Sequence, residues 1–212
     1  MVRFFSNDTS LTIKEGTEQI IRNAFQKKYR LTEVIFPESL NKIDSQSFDG
    51  CSGLTSISLG KNIKKLDSMS IYGSAIENIN IDNDNPNYSI VNGALYNKDG
   101  TIFISPIKKI GNITTYTIPV GVKEISDYAF HNQNKMTEIT LPTTLKKIGS
   151  SFNYCTSLPR IEIPNSVTSI SATCFSSCGN TLKEVIIHKA KGSISGSPWG
   201  LQYGDKGITW VE

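Results

Sequence analysis

The 212-residue sequence is poor in charge, histidine and tryptophan. Charged residues make up 19% of the chain, and only two histidines and two tryptophans are present. A net charge of +3 is too small to indicate nucleic-acid binding by itself. The sequence contains no run of 18 apolar residues, so it predicts no transmembrane helix. We therefore expect no nucleic-acid partner and no membrane insertion.

The motifs of common catalytic sites are absent as well. The chain has no G-x-S-x-G, H-E-x-x-H, Walker or G-x-G-x-x-G motif, and its scattered acidic residues indicate no catalytic carboxylate pair. No pattern places a carboxylate or a thiol beside His131 or His188, so we predict that both are exposed turn residues. The segment 82–87, DNDNPN, offers oxygen ligands but lacks the spaced acidic pattern of an EF-hand, which leaves calcium as a minor alternative. We predict a non-enzyme with no catalytic residue, no metal and no cofactor.

The first 16 residues, MVRFFSNDTSLTIKEG, lack the apolar core of a signal peptide. Three alternatives follow from this: the protein stays inside the cell, it leaves by a route that needs no signal, or the chain is an excised fragment. The sequence does not decide among them, and it does not indicate an oligomeric state.

The dominant feature of the chain is a repeat. An apolar residue, followed by proline in four of the eight copies, returns every 22 to 24 residues, except for one gap of 37 residues. These anchors are Ile13, Phe36, Leu59, Ile81, Ile118, Leu141, Ile163 and Ile187. A fixed period of this length is typical of a solenoid, in which each unit buries its apolar face against its neighbours. The sequence predicts a β-rich solenoid of about eight coils, and a β-sandwich of short strands is the alternative.

The copy at 158–180, LPRIEIPNSVTSISATCFSSCGN, shows the role of each position. Alternation along a strand points Ile161 and Ile163 inward and Glu162 outward. Pro164 then ends the strand, because it cannot donate to a β-ladder. A second short extended segment follows, and a turn that carries an aromatic residue closes the coil. The residues predicted to stack inside the coils are Phe25, Phe48, Ile71, Phe130, Phe152 and Phe175.

Three segments resemble a known family: LTEVIFPESLNKIDSQSFDGCSGLTSISL, YTIPVGVKEISDYAFHN and LPRIEIPNSVTSISATCFSSC. They are similar to the BspA-type leucine-rich repeat over roughly residues 11–190. The resemblance implies a binding scaffold found in surface or secreted proteins of bacteria and some protists. It leads us to expect a cap strand at 1–10, a solenoid at 11–190 and a C-terminal cap at 191–212.

The 37-residue gap contains an insertion at about 82–112. Alternating residues flank Asn97-Lys98-Asp99-Gly100, which predicts a β-hairpin that replaces the second half of the fourth coil. At the C-terminus, Trp199 and Trp210 are predicted to cap the last open coil. A solvent-facing aromatic platform for sugars is the alternative for these two rings. The SGSPWG…ITW ending also has a weaker resemblance to repeat proteins of Firmicutes and of their prophages.

Three cysteines, Cys51, Cys155 and Cys178, share one repeat position, and Cys174 precedes Phe175. We expect buried free thiols, since small thiols pack well in interiors. Cys155 and Cys178 would lie on adjacent coils, but their parallel Cβ vectors disfavour a disulfide.

Two surfaces are candidates for binding. The first is the outward row of the longer strands, with the ligand-binding residues Glu33, Ile35, Ser58, Asn80, Thr117, Thr140, Glu162 and Ile186. In this row, we expect Ile35 and Ile186 to be exposed near the two ends. The second surface is a set of lysines on the short segments, which would contact an anionic polymer: Lys64, Lys65, Lys146 and Lys147. Alternatively, these lysines only prevent edge pairing and keep the protein soluble.

The sequence favours a non-enzymatic binding module whose repeat face contacts a protein or a cell-surface glycan, as the resemblance implies for adhesion. The alternative is a structural or receptor-binding component of a phage tail or prophage-derived particle. The corresponding locations are the cell surface, the secreted fraction or a virion.

Overall fold

A computed structural model describes residues 8–67, 69–71, 74–107, 112–202 and 204–211. The chain forms a β-solenoid of about eight turns, which confirms the predicted fold class. In these ranges, the only helical element is a 3-10 helix at Gly204–Gly207. The chain divides into two compact units, of which the first is Met1–Lys98 with Ile107–Lys109 and the second is Asp99–Pro106 with Ile110–Glu212.

The first unit contains two kinds of parallel strand. Longer strands of three or four residues form the ladders β1–β3 and β5–β7, and two-residue strands form the sheet β2–β4–β6. The strands of this unit are β1 (Ser10–Thr12), β2 (Gln19–Ile20), β3 (Glu33–Ile35), β4 (Lys42–Ile43), β5 (Ser56–Leu59), β6 (Lys65–Leu66), β7 (Asn78–Ile81), β8 (Tyr88–Val91) and β9 (Ala94–Asn97). The predicted coil, with one longer strand and one shorter strand, is therefore present.

The second unit repeats this arrangement. Its longer strands form the ladders β11–β13 and β15–β17–β18, and its short-strand sheet has the order β10–β12–β14–β16. The strands are β10 (Ile102–Pro106), β11 (Thr115–Thr117), β12 (Glu124–Ile125), β13 (Glu138–Thr140), β14 (Lys147–Ile148), β15 (Arg160–Ile163), β16 (Ser169–Ile170), β17 (Glu184–Ile187) and β18 (Ile208–Trp210). All of these pairings are parallel and in register from coil to coil.

Side-chain alternation decides what each strand buries. In β15, Ile161 and Ile163 are buried while Arg160 and Glu162 are exposed, as the period of two requires. The strand ends at Ile163, immediately before Pro164, because proline has no N–H to donate. The same alternation in the other longer strands places apolar residues inside, and it leaves the outward row of side chains exposed or half-buried. We call this outward row the strand face.

Aromatic rings stack inside both units. In the second unit, Phe130 lies between Phe103 and Phe152, with ring centroids 5.2 and 5.4 Å apart and nearly parallel planes. Phe175 continues the stack at 5.8 Å. The first unit has its own stacked pair, in which the centroids of Phe25 and Phe48 are 5.4 Å apart. The predicted stacking is confirmed for these rings, but Phe103 was not predicted as a member.

Ile71, predicted to belong to the same stack, is half-buried.

The insertion contains a hairpin that the sequence analysis did not identify. Strands β8 and β9 pair antiparallel, with Val91 opposite Ala94. The connecting residues Asn92 and Gly93 both have positive φ, of 50° and 70°. Asn-Gly favours this two-residue turn because both residues tolerate the left-handed region. Asn97, the first residue of the predicted tetrad 97–100, is the last residue of β9, and β10 begins at Ile102, so a strand lies on each side of residues 98–100.

The C-terminal segment completes the second unit. Trp199 is fully buried, and its indole Nε1 donates to the carbonyl oxygen of Ser195 at 3.0 Å. The carbonyl oxygen of Trp199 accepts a hydrogen bond from the N–H of Phe175 at 2.9 Å. In the preceding coil, the N–H of Phe152 donates in the same way to the carbonyl oxygen of Cys174 in the next coil. Strand β18 pairs with β17 and adds a further strand to that sheet. A buried Trp199 is not the solvent-facing sugar platform, so that alternative is wrong for this ring.

At the other end, most of the predicted cap strand at 1–10 lies outside the described residues.

Candidate binding surfaces

The strand face brings the predicted binding residues into rows within each unit. In the first unit, Ser58 pairs with Asn80 in the ladder β5–β7. In the second unit, Thr117 pairs with Thr140 and Glu162 pairs with Ile186. Because strand partners in register point to the same side, each pair presents two neighbouring side chains on the strand face.

A shallow depression in the first unit collects three of the predicted residues. Glu33, Ile35 and Ser58 line it together with Thr32 and Ser56, and its volume is about 280 Å³. The side chain of Ile35 is 50% exposed, as predicted. An exposed isoleucine beside a carboxylate and hydroxyl groups makes a small mixed surface, which suits contact with another macromolecule better than it suits a buried small-molecule site.

A larger depression, of about 550 Å³, lies on the strand face of the second unit. Thr140 and Glu162, both predicted, contribute to its lining, and Glu138, Arg160 and His188 supply further polar groups. The lining therefore combines two carboxylates, a guanidinium, an imidazole and the hydroxyls of two threonines. It has no buried nucleophile, and its charged groups are spread over an open surface.

Glu162 is the centre of the charges in this depression. One carboxylate oxygen accepts a hydrogen bond from the Arg160 guanidinium, and the other lies 3.7 Å from His188 Nε2. The side chains of Arg160 and Glu162 are both 55% exposed, so solvent screens the pair and its contribution to stability is small. These groups remain accessible to a partner.

His188 is exposed, as predicted, but its position beside Glu162 was missed. One feature of the repeat could have indicated this position. Ile163 and Ile187 occupy equivalent repeat positions and pair in register, so His188 lies one residue beyond the end of the paired strands. His131, predicted to be exposed, is half-buried between the rings of Tyr128 and Tyr154.

Ile186 departs from the expectation for an end residue. It is half-buried, because β18 pairs alongside β17 and places Thr209 next to it. The repeat pattern in the sequence ends with β17, so β18 was not expected beside it. The exposed apolar end of the strand face in the second unit is therefore smaller than predicted.

The predicted lysines are all exposed, two in each unit. They are Lys64 and Lys65 in the first unit and Lys146 and Lys147 in the second. The ammonium group of Lys147 lies 2.8 Å from Glu124 Oε1, and this hydrogen bond raises the pKa of Lys147. The carboxylate partly cancels its charge. Contact with an anionic polymer stays a prediction.

The four cysteines are buried free thiols. The Sγ atoms of Cys51, Cys155 and Cys178 donate to the carbonyl oxygens of Phe25, Phe130 and Phe152, at 3.1, 3.2 and 3.0 Å. Burial raises the pKa of all four thiols, that of Cys178 to about 11. In this structure the thiols therefore bond the preceding coil, and the Cys155–Cys178 disulfide alternative is not formed.

The acidic loop before β8 uses its polar atoms internally. The Asn85 side chain is fully buried, and its Nδ2 donates to the carbonyl oxygens of Gly60 and Ile63 at 3.0 and 3.1 Å. Its Oδ1 accepts from the N–H groups of Asn87 and Tyr88. Within the described ranges, no group of three or more His, Cys, Asp or Glu side chains is arranged to hold a metal ion.

In the part of the chain that the structure describes, no helix is both long and apolar enough to cross a membrane.

Comparison with known families identifies the repeat. The model of the BspA type leucine-rich repeat region matches residues 3–101 and 107–197 with six copies. The chain belongs to the BspA-type leucine-rich repeat family.

The departures of this chain from the repeat have local consequences. Ser74, at the cysteine position of the third copy, bonds the carbonyl oxygen of Ile71 in its own turn and not that of the preceding coil.

Solved structures of bacterial leucine-rich repeat proteins are similar in fold. A leucine-rich repeat protein from Eubacterium ventriosum is 22% identical with a TM-score of 0.60, and the match covers 86% of this chain and 60% of that one. A leucine-rich cell surface protein from Faecalibacterium prausnitzii is 21% identical with a TM-score of 0.67, over 96% and 60% of the two chains. The chain thus spans about 60% of the length of these two proteins.

The pneumococcal vaccine antigen PcpA is 18% identical with a TM-score of 0.57, over 96% of this chain and 67% of its own. At these identities the likeness shows the fold alone. A search of the curated proteins gives no match.

Proposed function

We propose that the chain is a non-enzymatic recognition module that binds a protein partner through the strand face, at a bacterial cell surface. The observation that carries the proposal is the 550 Å³ depression of the second unit, with Glu138, Arg160, Glu162 and His188 in its lining. Leucine-rich repeats present short parallel strands as extended binding surfaces, whose outward residues vary without cost to the core.

The chemistry of the depression favours a protein over a glycan. Charges of both signs lie within one open surface, and such a surface is complementary to the mixed charges of another protein. The exposed Ile35 in the first unit adds an apolar contact of the kind found at protein interfaces. A neutral glycan can form hydrogen bonds with the carboxylates and the guanidinium, but it offers no opposite charge to either, so charge complementarity favours a protein. Surface glycan remains the alternative ligand of this face.

The surface location and an adhesive role are supported by the family and by the name of one structural neighbour, a leucine-rich cell surface protein. The phage-tail alternative stays a prediction, since no contact among the described residues favours it.

The test compares two matched charge reversals in the second unit. Glu162 on the strand face and Glu124 on the short-strand sheet each form an exposed ion pair, with Arg160 and Lys147 respectively. Glu162→Lys and Glu124→Lys change the net charge equally and each remove one ion pair with Arg or Lys, while Glu162→Lys also removes the contact with His188. Immobilised collagen, laminin and purified cell-wall polysaccharide serve as probes, and retention of the wild-type chain and both variants is measured at two salt concentrations.

We expect the wild-type chain to be retained on a protein probe, and Glu162→Lys to weaken that retention at least tenfold while Glu124→Lys does not. Equal losses in the two variants would show that net charge, and not the strand face, governs retention. Retention on polysaccharide alone that Glu162→Lys weakens and Glu124→Lys does not would overturn the protein proposal in favour of the glycan alternative for the strand face.

A further inference from the structure

The turn side of the second unit carries an exposed cluster of three rings. The centroid of the His131 ring lies 5.7 Å from that of Tyr128 and 5.3 Å from that of Tyr154. Both contacts are edge-to-face, with interplanar angles of 79° and 71°. The two tyrosines are 41% and 49% exposed, whereas the imidazole between them is half-buried. The imidazole therefore supports two phenol rings whose surfaces remain open to solvent.

The backbone at both tyrosines is in an unusual conformation. Tyr128 and Tyr154 have φ of 60° and 61°, in the left-handed region that favours glycine and asparagine. Other turns place small or flexible polar residues at the corresponding positions, two residues before or after the stacked phenylalanine. These residues are Asn23, Gln46, Lys27, Asn132 and Ser177. The left-handed backbone is therefore a property of the repeat turn, which tolerates tyrosine at these positions but does not require it.

The surroundings of the cluster are rich in hydroxyl groups. The N–H of Tyr128 donates to the carbonyl oxygen of Ser150, and the Ser150 hydroxyl lies 2.7 Å from that of Ser171 and 2.8 Å from that of Thr173. Hydroxyl groups both donate and accept, as the hydroxyls of a sugar do. Asp127, next to Tyr128 in the chain, accepts from the N–H of Ser150 at 2.7 Å.

We propose that Tyr128, His131 and Tyr154 form a second binding site, distinct from the strand face, that takes a neutral glycan. The apolar C–H face of a pyranose ring stacks on an exposed phenol ring, and the neighbouring hydroxyls pair with those of the sugar. The centroids of the two phenol rings lie 5.7 and 5.3 Å from that of the imidazole, so the distance between the two phenol rings cannot exceed the sum of these values. Consecutive sugars of one oligosaccharide can span that distance.

The charges around the cluster favour a neutral glycan over a nucleic acid, which also stacks on aromatic rings. A single-stranded nucleic acid needs a positively charged groove beside its stacking platform, and the carboxylate of Asp127 opposes a phosphate backbone here. Burial lowers the pKa of His131, which favours the neutral imidazole over the charged one. A proline-rich peptide also docks on tyrosines, and the experiment includes it as a competitor.

The test replaces both tyrosines by the residue that other turns use at these positions. Because asparagine accepts a left-handed backbone, the Tyr128→Asn, Tyr154→Asn double variant should fold with an unfolding midpoint close to that of the wild type. The matched control is Tyr29→Ser, which removes a 59% exposed tyrosine from the first unit. Affinity electrophoresis with soluble mannan, β-glucan and N-acetylglucosamine oligomers measures binding, with oligothymidine and a proline-rich peptide as competitors.

We expect the wild-type chain to be retarded by at least one of the three glycans. Loss of each tyrosine should weaken binding about tenfold, by analogy with the stacking of bases on aromatic side chains. Tyr29→Ser and the strand-face variant Glu162→Lys should bind the glycan as the wild type does, so failure of the proposed function leaves this result unaffected. Absence of retardation by all three glycans, equal retardation of the double variant, or displacement by the peptide or oligothymidine would each overturn the proposal.

Discussion

Replacing Phe130 by alanine tests the stacked core of the second unit. Phe130 is fully buried, lies between the parallel rings of Phe103 and Phe152, and meets Tyr116 edge-on at 5.3 Å. Alanine would remove contacts on three sides and leave a cavity that the flanking coils cannot close, because their backbone ladders hold them apart. Such a truncation costs about 3–5 kcal/mol of unfolding free energy.

The matched control is Tyr116→Ala. Tyr116 contacts the rings of Phe103 and Phe130, but it is half-buried, so less of its area leaves water on folding. Its loss should cost about 1–3 kcal/mol. Urea unfolding followed by tryptophan fluorescence is suited to both variants, since Trp199 and Trp210 lie in the second unit.

A double-mutant cycle between Phe130 and Phe152 completes the experiment. The rings are 5.4 Å apart and nearly parallel, so we expect a coupling energy of about 0.5–1.5 kcal/mol. If Phe130→Ala costs no more than Tyr116→Ala, or if the cycle shows no coupling, the stack is not a principal source of stability and the reasoning is wrong.

Three further predictions concern buried and paired groups. The four thiols, which are buried and have raised pKa values, should react with Ellman's reagent at pH 8 only as the chain unfolds, and fast labelling of the folded protein would contradict their burial. Asn85→Ala should lower the unfolding free energy by about 1–3 kcal/mol, because it leaves buried backbone groups without partners, whereas added EDTA should not change the thermal midpoint. Hydrogen bonding to Lys42 holds the pKa of Asp44 below 3.8. The small stabilisation from this pair is therefore present at neutral pH and is lost as the pH falls through the folded-state pKa of Asp44. In Lys42→Met, an NMR titration of the Asp44 carboxyl should show its pKa moved back toward 3.8.

The coil and its interior follow from local sequence. A period of 22 to 24 residues, alternation around Glu162 and the strand end at Pro164 were sufficient to predict where the longer strands lie and which side chains they bury. The reason is that each coil stacks in register on a like coil, so one repeat contains nearly all the information about its neighbours.

The insertion and the end of the array were harder to predict because the period is interrupted there. The Asn92-Gly93 dipeptide is itself a hairpin signal, but the predicted turn was the tetrad 97–100. Phe103 lies outside the regular spacing, yet its ring stacks on Phe130. The half-burial of Ile186 depends on β18, which has no counterpart in the repeat pattern.

The candidate sites show the same division. The sequence by itself determined the solenoid and the rows of outward side chains, because strand alternation and coil register are properties of the repeat. Only the tertiary structure decided that Glu162 lies between Arg160 and His188, and that His131 holds two tyrosines apart. The Glu162–His188 and His131–Tyr154 contacts join residues of different coils, whereas the Arg160–Glu162 and Tyr128–His131 contacts lie within one coil and depend on local side-chain and turn geometry. No repeat period specifies either kind of contact.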